Sequence, residues 1–387
     1  MMHETNHTEH EERRADTFSA EALLPRDPIQ IDNAAVAAYY RGKTVLITGG
    51  GGSIGSEICR QIARLHPAHL VLVDIYENGA YELQQEMFRL YGNVLSLSVE
   101  ILSVCDTVLM DKTIAKHRPD VIVHAAAHKH VPLMEHNPCE AIKNNVLGTQ
   151  NVISLAVKHG VGRFLLISSD KAVNPTGIMG ATKRMCEMLV QGYRAKHPYT
   201  QFAVVRFGNV LGSAGSVIPL FRRQIAEGGP LTLTDKRITR YFMTISEAAQ
   251  LVLEASVMAR GDELFVLDMG KPVQILTLAE NMIRHCGYEP YTDIDIIETG
   301  LRPGEKLYEE LLVQPEKMEK TANALIFVER ETPITYEEMI DKLAHLTAAA
   351  NSGDDSAARA ALMQTVPTFR TAADTSSTAQ NTAWSVT

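Results

Sequence analysis

The sequence predicts an α/β protein: a doubly wound parallel sheet covered by helices on both faces, with a smaller C-terminal lobe over the sheet's ligand edge. Three observations carry this expectation. From residue 43 onward, short β-branched apolar runs alternate with segments whose apolar residues recur at helical spacing. Strands such as Val121-Ile122-Val123 are apolar without interruption, as burial on both faces requires. A run of glycines joins the first strand to the first helix.

Taken in order, "KTVLITG" is a strand and "SEICRQIARLH" a helix. "HLVLVD" is a strand, "GAYELQQEMFRLY" a helix, "VLSLSVEIL" a strand, "VLMDKTIAKH" a helix and "DVIVHAAA" a strand. The alternation continues through "PCEAIKNNVLGTQNVISLAVKHG", "RFLLISS", "GATKRMCEMLVQGYRAK" and "QFAVVRFGNV". After about residue 208 glycine, proline and charge mix with short helices, which suits a lobe rather than a regular layer. The expected division is an N-terminal arm over 1–36, partly disordered; a nucleotide-binding domain over 37–207; a substrate-binding lobe with returns to the sheet over 208–345; and a disordered Ala/Ser/Thr-rich tail over 346–387.

A chain of 387 residues with 45% apolar content can bury a substantial core. Its net charge of −9 argues against general attraction to nucleic acid or anionic membrane, so any phosphate site must be local. No run reaches the roughly 18 apolar residues of a membrane span, and "MMHETNHTEHEERRAD" lacks the features of a secretory leader. The chain is therefore read as cytoplasmic. The five scattered cysteines (Cys59, Cys105, Cys139, Cys186, Cys286) contain no C-x-x-C pair and suit free thiols. His124, His128, His130 and His136 lack a recognisable ligand spacing, so they are read as bonded to neighbours or ligand, with no metal.

Thr48-Gly49-Gly50-Gly51-Gly52-Ser53-Ile54-Gly55 lies between a strand and a helix, the context in which glycines let the backbone approach a pyrophosphate at a helix N-terminus. This predicts a Rossmann-like dinucleotide site. Asp74 ends the second strand about 20 residues later, where a carboxylate accepts from ribose hydroxyls and repels a 2′-phosphate. NAD is the expected cofactor.

The spacing T-G-x-x-G-x-x-G resembles that of the extended short-chain dehydrogenase/reductases. "AAAHKHVPLME", "SSDKAVNPT", "RFGNVLGS", "FMTI" and "GLRPGEKLYEELL", occurring in that order, resemble the bacterial UDP-N-acetylglucosamine 4,6-dehydratases of polysaccharide biosynthesis. The resemblance runs from about residue 22 to about 345. Larger members carry an N-terminal membrane region, which this chain is expected to lack, and "LLPRDPIQID" resembles the segment that follows that region.

Dehydration at C6 of a hexose needs prior oxidation at C4, because only then is the C5 proton acidic. The site must supply a base for the C4 hydroxyl, a base for C5–H and an acid for the departing C6 oxygen. The resemblance implies that Ser169 bonds the C4 oxygen, Asp170 protonates the leaving hydroxyl and Lys171 removes the C5 proton. A neutral Lys171 requires a depressed pKa. It also implies that Lys183, with Ala125 and Ala126, contacts the cofactor. The superfamily's tyrosine is replaced by Met179, a thioether that accepts no proton at neutral pH. Asp170, or a water held by Ser169 and Lys183, is then the expected acceptor of the C4 proton. Asn209, Arg302 and Glu305 carry over as contacts to the nucleotide-sugar, and Lys129 with His130 is expected in the substrate site, Lys129 either beside the pyrophosphate or as part of a structural loop. The expected partner is UDP-N-acetylglucosamine or a related UDP-sugar, acted on by a homo-oligomer. The alternatives are a UDP-hexose 4-epimerase and a non-catalytic nucleotide-binding protein.

Overall fold

The computed structural model describes residues 34–261, 263–312, 318–331 and 334–370. Its strands, in chain order, are β1 Thr44–Thr48, β2 His69–Asp74, β3 Leu97–Ile101, β4 Val121–His124, β5 Arg163–Ile167, β6 Gln201–Arg206, β7 Asn209–Val210, β8 Leu231–Leu233, β9 Thr239–Arg240, β10 Phe242–Met243, β11 Glu263–Leu267, β12 Val273–Gln274, β13 Ile296–Glu298, β14 Met318–Lys320 and β15 Ile326–Glu329. The main sheet runs β14-β15-β11-β6-β5-β4-β1-β2-β3. All its pairs are parallel except β15 with β11 and β14 with β15.

Parallel strands need crossover connections, and the helices that make them cover both faces. The pleat then sends Leu46, Ile122, Phe164 and Leu166 into one apolar layer and Val45, Ile47, Val123 and Leu165 into the other. Neither face is left to water. The doubly wound α/β expectation is met.

From β1 the chain turns one way to β2 and β3, then crosses to β4, β5 and β6 on the other side. Ligands of such sheets bind where the strand order reverses, at the carboxyl ends, here β1 and β4. The short strand pairs β7–β10, β8–β13 and β9–β12 belong to the region that overlies this edge. A separate core of Phe221, Ile225, Leu231, Phe242, Leu278 and Ile283 holds much of that lobe together.

One sequence expectation is corrected. Residues 346–370, expected within a disordered tail, belong to the helices Tyr336–Ser352 and Asp355–Thr365 and the turn after them. Ala358, Ala361, Leu362 and Phe369 join the core on one face of the sheet, and Met339 presses on Gly192, where any Cβ would come within 2.8 Å of it. The cause is alanine: its small side chain gives the amphipathic stripe too little contrast to read in sequence. At the other end, Ala34–Tyr40 is a helix that buries Val36 and Tyr40, so the arm is folded over its last residues. Residues 1–33 and 371–387 lie outside the described residues. Among the described residues no helix is long and apolar enough to cross a membrane.

Candidate active site

A cleft of about 840 Å³ runs from the glycine loop to the lobe. Gly49 must be glycine twice over, because its φ is +67° and a Cβ there would sit 2.7 Å from the Ala126 nitrogen. At Gly55 a Cβ would come 2.1 Å from the Gly49 carbonyl oxygen, so the loop and helix pack backbone to backbone. Such a bare cradle at the start of the helix Ser53–Ala63 fits a diphosphate. Gly49, Gly52, Ser53, Ile54, Gly55 and Ala125 line the cleft. Ser53 Oγ accepts a hydrogen bond from the Ala214 N–H across it at 3.1 Å.

Thr48, Asp74 and Ala126 are not among the residues that line the cleft, though each neighbours one that does. Asp74 Oδ2 accepts from the Gly51 N–H at 2.8 Å and Oδ1 from the Tyr76 N–H at 2.9 Å. Its carboxylate is therefore fixed while each oxygen keeps a further lone pair. Thr48 Oγ1 meets His124 Nδ1 at 2.7 Å, and His124 Nε2 meets Thr149 Oγ1 at 2.9 Å. Burial, reinforced by the Lys183 cation, pushes the His124 pKa down to about 3, so this ring is a neutral strut. Among the described residues no cluster of His, Cys, Asp or Glu could hold a metal.

The chemistry-bearing groups follow β5. Ser169 Oγ donates to Asp170 Oδ1 at 2.8 Å and accepts from the Lys171 N–H at 3.2 Å, capping a single 3-10 turn over Asp170–Ala172. Lys171 Nζ reaches Asp170 Oδ1 at 3.1 Å, Asn209 Oδ1 at 3.1 Å and Glu309 Oε1 at 3.3 Å. That is three acceptors for the three protons of an ammonium. Burial pulls the Lys171 pKa down, but the Asp170 and Glu309 carboxylates outweigh it, and the net shift is upward. The expected depression of Lys171 is thus corrected: at rest this lysine is held charged. Burial, with Glu309 adding to it, raises the Asp170 pKa despite the nearby Lys171 cation.

Ser169, Lys171, Met179, Lys183 and Asn209 line the cleft together. Asp170 does not; it has no exposed surface, and its Oδ2 is buried with no hydrogen-bond partner among the described residues. Any proton it exchanges with the cleft must pass through Ser169 or Lys171. Met179 is buried on the helix Ile178–Lys196, one turn before Lys183, whose Nζ donates to the Ile167 carbonyl at 2.6 Å. Burial lowers the Lys183 pKa.

Lys129 and His130, in the loop after β4, and Arg302 and Glu305, from the lobe, line the same cleft. His130 packs on Gly215, where a Cβ would meet the ring at 2.5 Å. Glu305 Oε1 accepts from Thr234 Oγ1 at 3.1 Å and lies 3.4 Å from Arg240 Nη2, so it is partly committed to the protein. A smaller cavity of about 140 Å³ adjoins the cleft and shares Lys171, Arg240, Arg302 and Glu305 with it.

Sequence reasoning missed Arg240 and Glu309. Glu309 is the first residue after "KLY" in the same "GEKLYEE" run that supplied Glu305, and only the fold brings it to Lys171. It also missed the support of the Ile178–Lys196 helix: Glu135 Oε1 accepts from the Ile178 N–H at 2.6 Å while Arg359 holds Oε2 at 2.8 Å.

With this geometry in place, similarity to known proteins can be read. Residues 45–331 match the family model described as "Polysaccharide biosynthesis protein". The chain is 48% identical over 328 residues to a capsular polysaccharide biosynthesis protein, CapD, of Staphylococcus aureus, covering 83% of this chain and 55% of that one. It therefore spans about half the length of that relative. It is 35% identical over 273 residues to an inverting UDP-N-acetylglucosamine 4,6-dehydratase of Campylobacter jejuni, covering 70% of this chain and 77% of that one. A UDP-glucose 4-epimerase of Rickettsia massiliae is 37% identical over 284 residues, covering 72% and 80%. Among solved structures, Pen from Bacillus thuringiensis superposes with a TM-score of 0.69 at 35% identity, covering 77% of this chain and 90% of that one.

Proposed function

Since the chain belongs to the polysaccharide biosynthesis protein family, extended short-chain dehydrogenase/reductases related to nucleotide-sugar 4,6-dehydratases and 4-epimerases, we propose that it catalyses the NAD-dependent 4,6-dehydration of UDP-N-acetylglucosamine. The product is a UDP-4-keto-6-deoxy-N-acetylhexosamine. Identity to relatives does not separate the two reactions, since the dehydratase and the epimerase match equally well. The observation that carries the reading is the Asp170-Lys171 pair, hydrogen-bonded at 3.1 Å at the cleft. An epimerase has no C5 proton to move and no need of it.

The glycine loop, Asp74 and Lys183 would hold NAD, which supplies a hydride acceptor at C4 and a donor at C6. Ser169 takes the C4 hydroxyl proton and passes its own to Asp170 along their 2.8 Å hydrogen bond. The carboxyl is well placed for this, because burial favours its protonated form. Lys171 removes the C5 proton. Asp170 then returns its proton through Ser169 to the C6 oxygen, which leaves as water. Met179 shapes the wall and takes no proton. Arg302 and Lys129 line the cleft and would bind the diphosphate of the sugar nucleotide.

Proton NMR of the purified protein with NAD and UDP-N-acetylglucosamine in deuterium oxide tests this. A new C6 methyl signal, deuterium at C5 and loss of the C4 proton are the expected result. Growth of a UDP-N-acetylgalactosamine signal with C6 still hydroxylated would instead establish the epimerase reading.

A further inference from the structure

We infer that Glu309 is a positioning residue for the C5 proton transfer: it takes a proton from the Lys171 ammonium across their 3.3 Å contact, so that Lys171 meets the sugar as a neutral amine. This rests on the dehydratase reading above.

Proton bookkeeping creates the need. Asp170 is already occupied by the C4 proton, while Lys171 begins with all three of its protons committed to Asp170, Asn209 and Glu309. The Asn209 amide oxygen is no base, and Asp170 is full. Of these three partners, Glu309 is the one that can receive the proton that Lys171 must shed.

Its setting suits that task. The Glu309 side chain is 3% exposed, and its Oε2 is buried with no hydrogen-bond partner among the described residues. An unpaired buried carboxylate oxygen is costly, and protonation relieves that cost. Around the pair stand Asp170 and Asn209 beside Lys171, Arg240 with its Nε 3.8 Å from Glu309, Tyr241 near Asp170, and Lys306 on the Glu309 segment. Burial raises the Glu309 pKa, but Lys171, Arg240 and Lys306 outweigh it, so the carboxylate is ionised at rest and carries no proton when the reaction begins. Glu309 lines the small cavity rather than the cleft, so it acts through Lys171 and not on the sugar.

In the transfer an N–H bond of Lys171 breaks and an O–H bond forms on Glu309, leaving a neutral amine beside a neutral acid. The amine then takes the C5 proton and is again an ammonium. When the ammonium, whose other two hydrons come from solvent, delivers one of its three to C5, Glu309 gives its own back. No electrons are exchanged in these steps.

Glu309→Gln separates this role from simple electrostatics. Loss of a neighbouring negative charge alone would make Lys171 easier to deprotonate and leave the rate equal or higher. Loss of the acceptor makes kcat fall about 100-fold at neutral pH, with the UDP-sugar dissociation constant unchanged. In the variant Lys171 must lose its proton to solvent, so kcat rises about tenfold per pH unit above neutrality, whereas the wild-type rate stays flat. Glu309→Asp restores the flat profile at reduced rate, and circular dichroism checks the fold of each variant. A Glu309→Gln enzyme that dehydrates as fast as wild type with the same pH profile overturns the role of Glu309 alone. A wild-type protein that epimerises C4 without placing deuterium at C5 overturns both this role and the dehydratase reading.

Discussion

At the scale of the residue, the unusual position is Met179, which stands where related oxidoreductases carry a proton-transferring phenol. Its side chain is buried and lies on the cleft wall, so it contributes shape. Exchanging it for leucine conserves volume and costs less than about 1.5 kcal/mol. Met179→Leu is therefore expected to keep kcat within about threefold of wild type, since no proton passes through the thioether. Asp170→Asn retains the shape of the loop but cannot take the proton relayed by Ser169, and kcat should fall by about 100-fold or more. Methyl-product formation followed by NMR, with circular dichroism as the control for folding, measures both. A large loss in a folded Met179→Leu variant would show that the methionine does more than fill space. The loop from Ser169 to Lys171 was legible in sequence because its residues are contiguous. Glu309 was not, because a glutamate in a charged run looks like a solvated surface until the fold buries it against a lysine.

At the scale of the element, strands of the sheet were legible because uninterrupted β-branched runs have few other uses. The two- and three-residue strands of the lobe are too short to impose any period, so sequence showed only loosened order there. The closing helix Asp355–Thr365 escaped for another reason: its buried stripe is Ala358, Ala361, Leu362 and Thr365. That spacing is helical, yet alanine and threonine contrast little with their neighbours. This helix matters to the site. Arg359 holds Glu135, which fixes the first turn of the Ile178–Lys196 helix, and the Arg370 N–H donates to the Pro175 carbonyl in the preceding loop at 2.9 Å. Removing the guanidinium leaves a buried carboxylate with one backbone partner and loosens the helix that carries Met179 and Lys183. Arg359 is 40% exposed, so water screens part of the loss. Arg359→Ala should destabilise the protein by about 1–2 kcal/mol and raise KM more than it lowers kcat. Thermal unfolding together with steady-state kinetics checks this, and an unchanged Tm would mean the C-terminal helices do not brace the site.

At the scale of the whole molecule, the glycine loop and the strand–helix alternation point to the place of the candidate site, because a doubly wound sheet offers one reversal of strand order. What sequence could not give was the buried polar framework that joins its parts. His124 ties the end of β4 to Thr48 of β1 and to Thr149, while Arg206, wholly buried, joins Glu187 on the Ile178–Lys196 helix to Glu329 on β15. Both groups make stability depend on pH in the same direction. The His124 pKa falls from an unfolded value near 6.5 to about 3, chiefly through burial. Below about pH 6.5 the unfolded chain binds a proton there that the native state refuses, so stability present above 6.5 is lost as pH falls toward 3. Glu187, buried but held down to about 2 by Arg206 and Arg184, adds a second loss below about pH 4.5. Between pH 6.5 and 5 the histidine alone should cost about 2 kcal/mol. Urea unfolding of wild type and His124→Gln at a series of pH values isolates it. The variant starts lower because it loses two buried hydrogen bonds, but its stability should fall less steeply with acid by about one proton, so the two curves converge toward pH 5. Parallel curves would mean that His124 takes up a proton in the native protein, and that the neutral strut between β1, β4 and Thr149 has been misassigned.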